Sequence, residues 1–385
     1  MQVNRNDLLN TAFFIILVLS DLFSKIMPSF MGYADELFCL FLLAKILLKK
    51  KIDIKRIQYI VALGLLGIIG NFMYGLVADV NVVIYDAFIF LKPYIFLLYS
   101  LDFGNKQNKT IKYYSDLSKV MIYVLFMFSI ISLVASIGMT TDKGTFRFLS
   151  SFDGTVACWT IVFLSIIWNE KNKFSFWYYG LACVIIMRTG SGLGGLCIVG
   201  ALLIYIFGER KRRFKGYYLI FIVPVCLFIA RGEIQSYLLD ANAPRALLYI
   251  YALITASHYF PLGSGFGSYG SAMAASHYSP LYIKYGFNMR WGMSVDYHPF
   301  LMDSYYPQII AQFGFIGTLL FIMMWRELVW KHISVLNNTA EKYASIFLSL
   351  SWLVAGIGFG TGSVWGCAVF FTLGFMFSNN CIKKL

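Results

Sequence analysis

The sequence predicts an all-α polytopic membrane protein with about twelve transmembrane helices and one large external loop between the ninth and tenth. Three observations predict it. Hydrophobic residues make up 59% of the 385 and charged residues only 13%, whereas a water-soluble globule carries about a quarter charged residues. Apolar runs close to bilayer-spanning length, about 20 residues, recur along the whole chain. The lysines and arginines between those runs are crowded into alternate loops.

The runs lack the strict alternation of a barrel strand, and backbone groups in lipid must be satisfied internally, so the runs are read as helices. The first span, 9–28, contains the apolar run Thr11–Met27; no cleavage pattern follows, so it is expected to stay as the first helix. Within it Asp21 and Lys25 are spaced to pair along one helix face. The second span, 33–48, places Glu36 within reach of Lys25. The third covers 57–77. The fourth, 82–101, carries Asp86 and Lys92, which do not face one another along a helix, so each needs another partner. The fifth to ninth cover 118–138, 153–169, 174–190, 193–207 and 216–231. The last three cover 306–325, 343–358 and 361–378; the glycine-rich Gly356–Gly366 junction between the final two is either a tight turn or a re-entrant dip.

Charge sets the expected orientation. Basic residues cluster in KKKIDIKR (49–56), at Lys106, Lys109, Lys112 and Lys119, at Lys171 and Lys173, in ERKRRFKG (209–216), in Arg326–Lys342 and at Lys383–Lys384. With Arg5 they hold 22 of the 32 basic residues, while the alternate loops hold seven. Basic loops stay cytoplasmic, so both termini are expected inside and residues 232–305 outside. The net charge of +13 is then mainly a topology signal. Nucleic-acid binding would need a basic face on a soluble element, and none is evident. The chain reads as a single membrane domain, residues 1–385, without an internal repeat. Of seven cysteines none lies in the external loop, which argues against a disulfide framework or a zinc site there.

The external segment concentrates the polar chemistry. Arg245 follows Ala243-Pro244 and opens an apolar run, so it is expected near a helix start, where a guanidinium beside free N–H groups suits a phosphate or diphosphate. An interfacial arginine snorkelling to headgroups is the plainer reading. The turn Pro261-Leu262-Gly263-Ser264-Gly265-Phe266-Gly267 would let backbone approach a ligand closely, or is simply a turn. It lacks the Gly-Lys-Ser/Thr of a Walker loop. Residues 271–300 are rich in aromatics, which stack on sugars and also sit at membrane interfaces. His258, His277 and His298 show no metal-binding spacing. Asp303 stands just before the tenth span, placed either as a general base or, with Ser304, as a helix cap.

Order and spacing of these residues resemble the O-antigen polymerase and ligase superfamily of bacterial membrane glycosyltransferases. The motifs are a lone arginine opening an apolar stretch (Arg245), a Pro-Leu-x-Gly-x-Gly turn (Pro261, Leu262, Gly263, Gly265, with Gly267 beyond), and an Asp-Ser pair followed by Gly-x-x-Gly (Asp303, Ser304, Gly314, Gly317). Ligases carry His where Asp303 stands, so the chain looks most like a Wzy-type repeat-unit polymerase. The family's Thr-x-Ser-Arg motif is here Thr189-Gly190-Ser191-Gly192, with Arg188 just before it as the substitute arginine. The resemblance implies a GT-C-like helical fold in the bacterial cytoplasmic membrane, with no cofactor and no metal. It also implies undecaprenyl-diphosphate-linked oligosaccharides as substrates, and a flippase and a chain-length regulator as partners. It implies catalytic roles for Asp303 and Arg245, and substrate contacts from Arg188, Arg290, Gly263, Gly265, Gly267, His298, Ser304 and Tyr305. The rival readings are an O-antigen ligase, which changes only the acceptor, and a polytopic transporter or lipid flippase.

Overall fold

The computed structural model describes residues 5–378 except 49–53, 104–108, 135–138, 142, 143, 152, 153, 172, 212–218, 236–239, 241 and 361. Among the described residues the protein is all-α, with one isolated bridge, Thr140 to Phe146. Helices run as α1 (Arg5–Leu22), α2 (Ala34–Leu47), α3 (Ile54–Tyr74), α4 (Val80–Phe103), α5 (Lys109–Val134), α6 (Thr155–Glu170), α7 (Phe176–Thr189) and α8 (Gly192–Leu203). They continue as α9 (Leu219–Ile229), α10 (Arg231–Ile234), α11 (Pro244–His258), α12 (Ala272–Ser276), α13 (Pro280–Lys284), α14 (Tyr305–Trp325), α15 (Lys331–Val335), α16 (Thr339–Ala355) and α17 (Val364–Ser378). Each expected span carries one of these helices.

Among the described residues five stretches are long and apolar enough to cross a membrane: Arg56–Tyr74, Val80–Phe103, Thr110–Val134, Gly192–Glu209 and Tyr305–Val335. Thr155–Glu170, Phe176–Thr189 and Val364–Ser378 are apolar but shorter. Large side chains such as Phe72 on α3, Met127 on α5 and Leu319 on α14 face outward, as lipid contact requires. This is the make-up of a multi-pass membrane protein. Several of the basic residues that set the expected orientation, including Lys49–Lys51, Lys106, Lys143, Arg212, Arg213 and Lys215, lie outside the described residues, as do both chain ends.

The centre of the bundle is α4 packed along α17. Nearly every side chain of α17 is buried, and so is α4 from Lys92 to Leu101. A helix apolar on all sides belongs in such a position. The two approach closely at Gly374, where a Cβ would fall 1.8 Å from Ser100 Oγ; small residues permit this contact between membrane helices. The charges inside the spans find partners across helices. Lys92 pairs with Asp35 and, at 3.0 Å, with Glu36 of α2. Asp21 accepts from the Trp159 indole at 2.7 Å. The Asp21–Lys25 helix-face pairing is not what forms: α1 ends at Leu22, so Lys25 lies beyond the helix.

The expected external loop is a folded unit. Residues 242–305 contain α11, α12, α13 and short 3-10 turns around their own apolar centre of Leu248, Tyr269, Tyr282, Phe287, Met293 and Leu301. The unit is anchored by α11, which packs along α14.

Candidate functional site

Two helix starts create the site. Pro244 occupies the first turn of α11, where its missing N–H costs nothing, and Arg245 follows it. Asp303 ends the 3-10 turn Pro299–Met302, immediately before α14. Because α11 and α14 pack together and both begin at this point, the two side chains meet. Arg245 Nε donates to Asp303 Oδ2 at 3.1 Å and Nη2 lies 3.1 Å from the same oxygen. Arg245 is 30% exposed and Asp303 28%. Burial pushes the Asp303 carboxyl above its usual range, and the Arg245 guanidinium pulls it part of the way back. The pair is a partly covered, solvent-reachable charge pair.

Asp303 is not used as a helix cap. Ser304 holds the cap position of α14, with extended backbone and no side-chain capping bond. Its hydroxyl is buried and without a hydrogen-bond partner among the described residues. Tyr305 turns inward: its hydroxyl lies 3.1 Å from Tyr94 Oη and its ring packs on Trp352. Ser304 and Tyr305, expected as substrate contacts, are placed in the interior at the start of α14. Gly356, at the end of α16, closes this side by accepting the Tyr305 N–H at 3.0 Å; the expected Gly356–Gly366 junction includes residue 361, which lies outside the described residues.

The glycine turn also serves the interior. Gly263, Gly265, Gly267 and Gly270 all have positive φ and are buried. A Cβ on Gly263 would lie 2.3 Å from Gly314 N, and one on Gly265 would lie 2.1 Å from Asn71 N. α14 leaves helical geometry at Gly314 (φ 62°, ψ −167°). A break deprives the preceding carbonyls of helical partners, and those of Ala311 and Gln312 accept instead from Ser264 and Gly265, both at 2.9 Å. The close approach that these glycines allow is thus to the protein's own backbone. Gly263, Gly265 and Gly267, expected as ligand contacts, here form a wedge between α3 and α14.

Asp86 secures the wedge, a role the sequence reading left as an unnamed partner. It is fully buried and accepts from Gly267 N at 2.6 Å and Gln312 Nε2 at 2.8 Å. The available signal was a lone carboxylate in an apolar span, which demands a polar partner.

The other candidates divide. Arg290 lies beside the start of α11, Nη1 to Asn242 Oδ1 at 3.5 Å. Arg188 is directed to α5, with Nε to Ser129 O and Nη2 to Ser132 Oγ, both at 3.5 Å. The Thr189–Gly192 stretch around it is a helix junction: Gly190 ends α7 in left-handed conformation and Ser191 caps α8 through Gly194 N. Arg188 is thus held by a different part of the fold from Arg245. His298 stands half-buried before the Asp303 turn, Nδ1 at 3.0 Å from Val295 O. His258 contacts Lys284, and His277 contacts Met273 O, so the three histidines have separate neighbours. Among the described residues, no group of three or more His, Cys, Asp and Glu side chains could hold a metal.

The chain matches no family model, and no curated protein matches it.

Proposed function

We propose that this protein is a membrane glycosyltransferase that joins undecaprenyl-diphosphate-linked oligosaccharide repeat units into O-antigen, capsule or exopolysaccharide. In this reading twelve spans cross the bacterial cytoplasmic membrane in a GT-C-like arrangement, and residues 232–305 lie on the outer face. The observation that carries it is the Arg245–Asp303 pair, which joins an anion-binding group and a candidate base at one point. The resemblance of the flanking motifs supplies the substrate class.

The reaction follows from the two groups. The acceptor hydroxyl oxygen attacks the anomeric carbon of the donor glycan, forming the new glycosidic bond with inversion. The bond from that carbon to the diphosphate oxygen breaks, and the electron pair leaves with the diphosphate. The hydroxyl proton passes to Asp303. Arg245, with Arg290 beside the same helix start, stabilises the charge on the leaving group. In the resting protein Arg245 occupies Asp303. A diphosphate that takes the guanidinium frees the carboxylate when an acceptor is needed.

The deciding experiment supplies purified protein in lipid nanodiscs with lipid-linked repeat units. Wild-type protein should build a ladder of lipid-linked oligomers and the folded Asp303→Asn variant should build none. A ladder of normal length from Asp303→Asn would remove Asp303 as the base; no ladder from wild type would remove the polymerase. A transporter is the second reading. The broken α14 and the buried Lys92–Asp35–Glu36 cluster favour it, since transporters use discontinuous helices and intramembrane charges. Gradient-driven uptake into liposomes would support that alternative.

A further inference from the structure

We propose that Trp291 is a stacking platform for a pyranose ring of the bound glycan, set beside the Arg245–Asp303 pair. The inference deepens the polymerase reading and rests on it for the identity of the glycan. Trp291 is 75% exposed. Its ring is nonetheless fixed from behind: Phe300 packs edge-on at 5.4 Å and Tyr297 at 5.7 Å. Gly292 makes this brace possible, because a Cβ there would fall 2.2 Å from the Phe300 ring. Phe300 N also donates to Gly292 O at 3.1 Å, tying the two strands of the turn. Tyr297 is held by a local turn in which its N–H donates to Ser294 Oγ at 3.3 Å.

The brace runs directly into the candidate site on both sides. Asp303 N donates to Phe300 O at 3.3 Å, so the ring behind Trp291 and the carboxylate belong to one 3-10 turn. Arg290, the neighbour of Trp291, reaches Asn242 just before Arg245. An aromatic face carries negative charge density, and the C–H bonds on one face of a sugar are weakly positive, so the two attract while the hydroxyls stay at the rim. Arg290 precedes Trp291 in the chain, and Asp303 ends the turn that carries Phe300. A ring braced by its neighbours loses less freedom on binding than an unbraced one. Through Phe300, the platform is joined to the turn that ends at Asp303.

The test uses the full chain in nanodiscs and saturation-transfer NMR with methyl glycosides of common hexoses, 6-deoxyhexoses and N-acetylhexosamines. At least one glycoside should bind wild type, bind Trp291→Ala about five- to tenfold more weakly, and bind Trp291→Phe nearly as well as wild type. Equal binding to wild type and Trp291→Ala, or no binding by either, would overturn the platform and leave Trp291 as a bilayer-headgroup anchor. The ladder assay separates the two proposals. Trp291-dependent binding without ladders removes the polymerase and keeps the platform; ladders with Trp291-independent binding do the reverse.

Discussion

Arg245 and Asp303 are each less than one-third exposed and share a single carboxylate oxygen. A pair this close to solvent contributes about 0–1 kcal/mol to stability, so conservative changes at either position should leave the protein folded and report on function. Arg245→Lys keeps the charge but loses the planar fork of donors. The expected result is partial activity, lower by about tenfold to a hundredfold in polymer formation, with a larger loss for Arg245→Ala. Full activity in the lysine variant would mean that no bidentate grip on a diphosphate is made. The carboxylate also sets a pH limit. Its pKa is raised by burial, with Arg245 as the opposing influence. A base must be ionised, so activity should fall as pH drops through a value above the ordinary aspartate position of about 3.9. Arg245→Gln removes the influence that lowers the pKa, so the acid limb of the residual activity should move to higher pH. An acid limb that stays in place would separate Asp303 from the proton transfer.

At the scale of the elements, the glycine turn, the break in α14 and Asp86 form one device. The turn enters between α3 and α14, its N–H groups take the carbonyls that the break releases, and Asp86 takes the N–H of Gly267. Gly265 is its tightest point, combining positive φ with backbone 2.1 Å from an added Cβ. Gly265→Ala should therefore destabilise the protein by several kcal/mol, since strain and overpacking add. Gly286→Ala is the control: it also has positive φ, but an added Cβ meets nothing within 4 Å. Thermal unfolding in detergent should separate the two variants clearly; equal losses would mean that φ alone governs. This device also marks where sequence reading succeeded and where it stopped. The helices were legible because apolar length is local information, and the start of α11 was legible from Pro244. The glycines were legible as a place of close approach, but what approaches them comes from α3 and α14, more than a hundred and about fifty positions away in the chain. The partners of Asp86 were hidden for the same reason.

For the whole molecule, the strongest expectation from sequence is its orientation, carried by the bias of lysine and arginine toward alternate loops. That bias predicts which elements share a side of the membrane, and the fold makes the prediction testable with few changes. Ser276 on α12 is an exposed residue of the unit that holds Arg245 and Asp303, and Lys211 follows α8 in a basic loop. Of the six described cysteines, Cys39, Cys158, Cys197 and Cys367 are buried and Cys183 and Cys226 are partly covered, so in a Cys381→Ser background their reaction with a polar reagent should be low. A membrane-impermeant maleimide added to intact spheroplasts should label Ser276→Cys and spare Lys211→Cys; after lysis it should label both. The candidate site faces the lipid-linked glycans of the outer leaflet only if the α12 position reacts before lysis. Labelling of Lys211→Cys alone in intact spheroplasts would place Arg245 and Asp303 on the cytoplasmic side, and the proposed substrate could not reach them.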